Sequence, residues 1–175
     1  NAAASGGAAA AACLLHDAPV AFGGNRLGTI VGFDEAQKRF RVVPEASSSG
    51  GRGAEECLVA VEDVVQRLTG VRLAGLRSSP LLNGHTVQIV GLDAERGRYQ
   101  VQLEGGRILA VRPEHCVLPE GAVARVCGLR AHGTGARWNG HYGRVVGFDQ
   151  PRMRHVLAMA PRGQLLSIKP RNLRV

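Results

Sequence analysis

Apolar and polar residues alternate in short runs along this chain, and turn-forming residues separate the runs. In residues 87–91, Val87 and Ile89 occupy one side of the alternation. A period of two is typical of a β-strand that buries one face. Residues 99–103 alternate in the same way after a loop at 93–97 that ends in Gly, so the pattern predicts a β-hairpin.

Turn signals on either side of this hairpin complete a five-stranded unit. The Asn-Gly pair at 83–84 marks a turn that tolerates positive φ, and the Gly-Gly pair at 105–106 is typical of a two-residue hairpin turn. Residues 113–116 predict a single 3₁₀ turn before a last short strand. Five short strands with such turns predict a small closed barrel, which removes exposed sheet edges.

The same pattern occurs three times along the chain, and this repetition decides the architecture. Each copy has a Gly- and Val-rich strand that ends in Asp, followed by a strand that begins with Arg. The aspartates Asp34, Asp93 and Asp149 are 59 and 56 residues apart. Because a unit of about sixty residues is only marginally stable alone, we expect the three repeats to pack against one another.

The repeats divide the chain into four segments. We predict an Ala-rich, low-complexity tail over 1–18, repeat one over 19–69, repeat two over 70–118 and repeat three over 119–175. Repeat one also carries a Ser- and Gly-rich tract at 47–53, which predicts a flexible loop.

One stretch of repeat one, residues 55–68, could alternatively form a helix. Its centre is rich in β-branched residues and it occupies a strand position in the repeat, so we predict a strand. The fold class expected from the alignment is all-β, with no helix longer than about two turns after Ala18.

The repeated unit resembles a known family. Repeat two contains the segments Asn83-Gly84, Val90-Gly91-Leu92-Asp93, Gly97-Arg98-Tyr99 and Val111-Arg112-Pro113-Glu114. This unit resembles the SH3-like repeats common in algal and other protist proteins, and its hairpin is similar to the KOW element of ribosomal and transcription-factor barrels. A Trp-Asn turn before a Gly-x-Val strand and Asp149 is similar to the small stromal SH3-like barrel protein of photosystem I. The resemblance covers 20–175 and implies three tandem SH3-like five-stranded barrels, but fold does not imply function.

The sequence contains no motif for catalysis or metal binding. It has no nucleophile elbow, no Walker-type phosphate loop and no HExxH motif, and its six histidines lack metal-ligand spacing. Its cysteines are scattered without a CxxC pair: Cys13, Cys57, Cys116 and Cys127. We therefore expect no enzyme activity, no cofactor, no metal and no obligatory disulfide, with the thiols in a reducing compartment.

Charge is distributed unevenly among the repeats. Repeat one has six basic and seven acidic residues, repeat two has six and four, and residues 119–175 have ten and two. A field of one sign on one module indicates contact with something acidic. An acidic surface of a protein or of a larger complex, nucleic acid and an anionic membrane surface are the candidate partners.

Repeat three also concentrates aromatic and basic residues around its Asn-Gly turn. The predicted partner-binding residues are Arg137, Trp138, Asn139, His141, Tyr142, Arg144, Arg152 and Arg154. An exposed aromatic turn between arginines suits an interface anchor or stacking on bases. Alternatively, Trp138 and Tyr142 pack over the open end of their own barrel.

Low aromatic content favours a protein partner over single-stranded nucleic acid, because only 4% of the residues are Phe, Trp or Tyr. We therefore expect a non-catalytic accessory subunit that docks into a larger assembly through repeat three. The alternative is an RNA-binding or ribosome-associated protein of the KOW type.

The chain opens on Asn1 rather than Met. We expect a processed chain or a fragment, from which any targeting peptide has been removed. An intracellular location such as the plastid stroma or the mitochondrion is consistent with that expectation. No run of about eighteen apolar residues occurs, so no membrane span is predicted.

Overall fold

The computed structural model of the protein describes residues 14–24, 26–45, 55–130 and 135–175. These residues form fifteen β-strands in three five-stranded antiparallel sheets. The all-β class is confirmed, and after Ala18 the described residues contain no helix beyond single 3₁₀ turns. The 3₁₀ turns are Val61–Asp63, Pro80–Leu82, Pro113–His115, Ala136–Trp138 and Pro170–Asn172.

The strands follow the chain in three groups of five. Sheet one contains β1 Pro19–Phe22, β2 Arg26–Asp34, β3 Arg39–Pro44, β4 Cys57–Ala60 and β5 Val64–Gln66. Sheet two contains β6 Leu68–Leu73, β7 Thr86–Asp93, β8 Arg98–Gln102, β9 Ile108–Val111 and β10 Cys116–Val117. Sheet three contains β11 Val123–Val126, β12 Tyr142–Asp149, β13 Arg154–Met159, β14 Gln164–Ile168 and β15 Leu173–Arg174.

All three sheets share one strand order. The fifth strand of each group pairs with the first, so the order across the sheet is fifth, first, second, third, fourth. Within the described ranges, no pairing joins the fourth strand to the fifth. Each sheet is therefore open, and its predicted closure into a barrel is not confirmed.

The second strand of every sheet is irregular at the same place. The pairing register shifts between Ile30 and Gly32, between Ile89 and Gly91, and between Val145 and Gly147. An extra residue in one strand bends it and increases its twist. The Val-Gly pair shared by the repeats therefore marks a bend.

The turns between strands follow the local sequence. Gly105 and Gly106 both have positive φ, at 89° and 86°. The N–H of Gly106 donates to the carbonyl of Leu103 at 3.0 Å, and the N–H of Leu103 donates to the carbonyl of Arg107 at 2.8 Å. The loop between β8 and β9 therefore has three residues, 104–106, and the prediction of a two-residue turn is wrong. Gly84 and Gly140 hold the two Asn-Gly turns, with φ of 88° and 86°. The Asn-Gly turn predicted in repeat two is therefore confirmed.

The repeats share their cores. One apolar cluster combines side chains of sheets two and three with Ala21 and Val65 of sheet one. A second cluster belongs mainly to sheet one and includes Val123 and Tyr142 from sheet three. The expectation that the repeats pack against one another is therefore confirmed.

Polar contacts also cross between repeats. The backbone N–H of Leu118 donates to His155 Nε2 at 2.8 Å, and His155 is fully buried on β13. The backbone N–H of Val175 donates to the hydroxyl of Tyr99 at 3.1 Å. These bonds fix sheet three against sheet two.

The boundaries of repeat one differ in detail from the predicted segments. Leu15 and Ala18 are buried in the core of sheet one, so the last residues of the predicted tail pack with the fold. The predicted loop at 47–53 lies outside the described residues. Residues 55–68 contain β4 and β5, so the strand prediction for this stretch is confirmed.

No helix in the described part of the chain is long and apolar enough to cross a membrane.

Candidate functional site

The Asn-Gly turn of repeat three is held by its own asparagine. Asn139 Oδ1 accepts from the N–H of Leu129 at 2.9 Å, and Asn139 Nδ2 donates to the carbonyl of Leu129 at 2.9 Å. Asn83 forms the same two bonds with Leu76 in repeat two, at 2.8 and 3.1 Å. Asn139 therefore has a structural role in closing the loop after β11.

Trp138 faces inward from this turn. Its side chain is half-buried and packs against the core shared by sheets two and three. The His141 ring meets it edge-on at 5.6 Å between centroids, and the Arg137 guanidinium lies 5.4 Å above the indole. The packing supports the alternative in which Trp138 covers the core of its own repeat.

Tyr142 is not on the surface. Only 7% of it is exposed, and its ring meets Phe40 of sheet one edge-on at 6.5 Å. Burial raises the pKa of the Tyr142 phenol to about 12. The exposed aromatic turn expected from the sequence is therefore corrected, because Tyr142 packs at the junction of sheets one and three.

The predicted arginines do not form one site. Arg144 is exposed near the start of β12 and donates to the carbonyl of Gly121 at 2.8 Å. Arg152 follows the far end of β12 and lies 3.8 Å from Asp149. A strand of eight residues is about 25 Å long, so Arg152 lies at the opposite end of β12 from the Asn-Gly turn.

Arg154 belongs instead to a groove that the sequence did not reveal, the repeat-three groove. This groove has a volume of about 640 Å³. Its lining residues are Gly128, Leu129, Arg130, Arg154, Ser167, Ile168, Lys169, Arg171 and Asn172. Four of them are basic and none is acidic.

Backbone and amide hydrogen bonds fix the walls of this groove. Asn172 Nδ2 donates to the carbonyls of Cys127 and Gly128, both at 2.9 Å. The N–H of Cys127 donates to the carbonyl of Asn172 at 2.8 Å. The loop after β11 is thus tied both to the 3₁₀ turn Pro170–Asn172 and, through Leu129, to the Asn-Gly turn.

The cations of the repeat-three groove are largely unpaired. Arg154 donates to the carbonyl of Ser167 at 3.1 Å. The side chains of Arg130, Lys169 and Arg171 form no hydrogen bond or ion pair with the residues that the structure describes. Positive charges concentrated in a cleft attract anions, so the groove is suited to an acidic ligand.

Repeat two has a groove in the equivalent place, the repeat-two groove, with a volume of about 630 Å³. Its lining residues are Gly75, Leu76, Arg77, Ser78, Arg98, Ala110, Val111, Arg112, Glu114 and His115. His115 Nδ1 bonds to the carbonyl of Ala74 at 3.0 Å, as Asn172 bonds to Cys127. Three basic residues of this groove occupy the same positions in the repeat as three of the repeat-three groove: Arg77, Arg98 and Arg112 align with Arg130, Arg154 and Lys169.

One position reverses its charge between the two grooves. Glu114 follows Pro113 where Arg171 follows Pro170. The Glu114 carboxylate lies 3.5 Å from the Arg112 guanidinium, so it partly neutralises the repeat-two groove. At the aligned positions around the 3₁₀ turn of repeat one, Ala60, Glu62 and Asp63 are neutral or acidic.

A third concavity, of about 350 Å³, lies where the three repeats meet. Its walls are mainly apolar and include Phe40, Tyr99 and Tyr142. Its charged lining is balanced between two arginines and two carboxylates. This cavity therefore lacks the single sign of charge that marks the repeat-three groove.

The described residues contain no group of three or more His, Cys, Asp or Glu side chains arranged to hold a metal ion. Cys57, Cys116 and Cys127 are free thiols, and burial raises the pKa of Cys116 to about 12. No protein-family model matches the chain, and no curated protein matches it either.

Proposed function

We propose that this protein is a non-catalytic accessory subunit that binds an acidic segment of a protein partner in the repeat-three groove. The observation that carries the proposal is the convergence of four cations without a carboxylate in that groove: Arg130, Arg154, Lys169 and Arg171. Guanidinium groups pair with carboxylates in two parallel hydrogen bonds. Docking of an acidic segment would supply the partners that these side chains lack.

The chemistry of the groove supports binding rather than catalysis. Besides the cations, its only polar side chains are Ser167 and Asn172, and the Asn172 amide is already bonded to two carbonyls. A general base or nucleophile needs a titratable partner within hydrogen-bond reach. The groove lining provides no His, Cys, Asp or Glu side chain for such a role.

A protein ligand is favoured over RNA because no Phe, Tyr or Trp side chain lines either groove. Single-stranded nucleic acid is held largely by stacking of its bases on aromatic rings. The one Trp of the chain packs against the core instead. RNA binding of the KOW type is the competing hypothesis, since phosphates also pair with arginine.

We infer further that each open sheet is an SH3-like unit. The strand order common to the three sheets and the 3₁₀ turn between the fourth and fifth strands support this assignment. The repeats would then be rigid platforms, with the groove of the third as the docking surface.

Binding of fluorescently labelled peptides tests the proposal. We expect a ten-residue glutamate peptide to bind the native chain, and the double variant Lys169→Glu/Arg171→Glu to bind about tenfold more weakly or worse, because two attractions become repulsions. A matched control, Arg144→Glu/Arg162→Glu, makes the same charge change in exposed residues outside the groove. We expect the control to change the affinity by less than about threefold.

Uridine decanucleotide is the comparison ligand, measured over a series of salt concentrations. Tighter binding of the RNA than of the peptide, with an affinity that falls log-linearly with salt, would replace the protein partner by nucleic acid. Equal weakening in the groove variant and the control would show that net charge alone attracts the ligand.

A further inference from the structure

The two grooves adjoin each other. The 3₁₀ turns Pro113–His115 and Pro170–Asn172 have Cα atoms within 8 Å of one another. Glu114 and His115 line the repeat-two groove, and Arg171 lines the repeat-three groove. Each groove therefore ends at the place where the two repeats meet.

The cations of the repeat-two groove are available to a ligand. Arg77 and Arg98 form no side-chain hydrogen bond or ion pair with the described residues. Arg112 has only the long contact with Glu114, and both side chains are substantially exposed. Exposed pairs of this kind are weak, so an incoming carboxylate can compete for Arg112.

We infer that the two grooves form one continuous binding track for a single extended acidic polypeptide. The inference rests on the proposed function, because it extends the repeat-three groove into repeat two. A fifty-residue unit has a radius of gyration of about 10 Å, so the centres of two adjoining repeats are about 20 Å apart. An extended chain covers that distance in about six residues.

The ligand class follows from the chemistry of the track. Its cations are nearly all arginines, which pair with carboxylates in a bidentate arrangement, and its walls offer no Phe, Tyr or Trp platform for stacked bases. A segment of about sixteen residues rich in Asp and Glu would occupy both grooves. A segment of six would occupy one, and we expect it to choose the more basic repeat-three groove.

The test compares peptides of six and sixteen glutamates on the full chain. We expect the longer peptide to bind at least about tenfold more tightly, because its second contact is intramolecular. The variant Arg77→Glu/Arg112→Glu should weaken the sixteen-residue peptide about tenfold and change the six-residue peptide less than about twofold. A matched control, Arg96→Glu/Arg107→Glu, places the same charges on loops of repeat two outside the groove.

The outcomes separate this inference from the proposed function. If the repeat-two variant and its control bind the sixteen-residue peptide equally, the track is wrong while the repeat-three groove stands. If neither peptide binds the native chain at low salt, the proposed function itself fails. If a uridine hexadecamer binds and the peptides do not, the track carries nucleic acid and the assignment to an acidic polypeptide is overturned.

Discussion

The grooves of repeats two and three have the same walls and different charges. In both grooves, the asparagine of the Asn-Gly turn bonds to the loop after the first strand. A side chain of the last 3₁₀ turn bonds to the same loop. An arginine begins the third strand of each of the two sheets. The clearest difference is one side chain, Glu114 in repeat two and Arg171 in repeat three. The hydrogen bonds that shape the groove are therefore the same in both repeats, whereas the charge of the groove depends on side chains that do not take part in those bonds.

The same comparison extends into the core. Aligned positions at the start of the third strand hold Phe40, Tyr99 and His155, all nearly fully buried. Each of these residues pairs with the residue that precedes the aspartate at the end of the second strand. In repeat three the pair is His155 and Phe148, whose ring centroids are 4.8 Å apart. Only repeat three places a histidine at this position.

The largest expected effect is a pH-dependent loss of stability caused by His155. Burial lowers its pKa to about 4, whereas an unfolded histidine titrates near 6.5. Between these values the unfolded chain binds a proton that the folded chain does not. The free energy of unfolding should therefore fall by about 3 kcal/mol as the pH drops from about 6.5 to about 4.

Denaturant titrations at pH 7 and pH 4 on the native chain and on His155→Gln measure this effect. The glutamine can still accept from the N–H of Leu118 but does not titrate, so its loss of stability on acidification should be smaller by that amount. Parallel pH profiles for the two proteins would show that His155 does not destabilise the folded chain in acid.

The next largest effect concerns the 3₁₀ turn that precedes each Asn-Gly turn. Trp138 closes the 3₁₀ turn of repeat three where Leu82 closes that of repeat two, and both are half-buried against the shared core. Trp138→Ala should cost about 2 kcal/mol of stability, less than for a fully buried Trp. Leu82→Ala should cost about 1 kcal/mol for the same reason.

A thermal melt beside a peptide-binding measurement decides the role of Trp138. We expect a lowered melting temperature with an affinity for the ten-residue glutamate peptide that changes less than about threefold. An unchanged melt with a binding loss of tenfold or more would restore Trp138 as an interface anchor.

The smallest effect is the exchange of the one residue that distinguishes the grooves. In the double variant Glu114→Arg/Arg171→Glu, the net charge of the chain is unchanged while the more basic groove moves to repeat two. In this double variant, Arg77→Ala should weaken binding of the six-residue peptide about fivefold more than it does in the native chain. Arg130→Ala should weaken that binding correspondingly less. An unchanged pattern of sensitivity would show that this position does not determine which groove is preferred.

Much of the architecture was predictable because it depends on local patterns. The alternation in residues 87–91, the Gly-Gly turn at 105–106 and the 3₁₀ turn after Val111 all depend on neighbours within a few positions. Their threefold repetition predicted fifteen strands of the correct kind. The excess of basic residues in repeat three was also visible, since counting charges needs no structure.

The site was not predictable in the same way. The sequence favoured Trp138 and Tyr142 because they stand between arginines in the chain, yet both side chains turn toward the core. Arg130 and Arg171 are 41 residues apart, and no local pattern indicates that they line one groove. Of the predicted partner-binding residues, Arg154 alone lines that groove.

The sequence by itself determined the all-β class, the three repeats, their turns and the location of the charge. Only the tertiary structure decided that the sheets are open, that the repeats share cores, and that the basic side chains converge in two adjoining grooves. The physical reason is the range of the interactions. Strand and turn formation follow from residues a few positions apart, whereas a groove depends on the register of strand pairing and on the side chains that tie distant loops together.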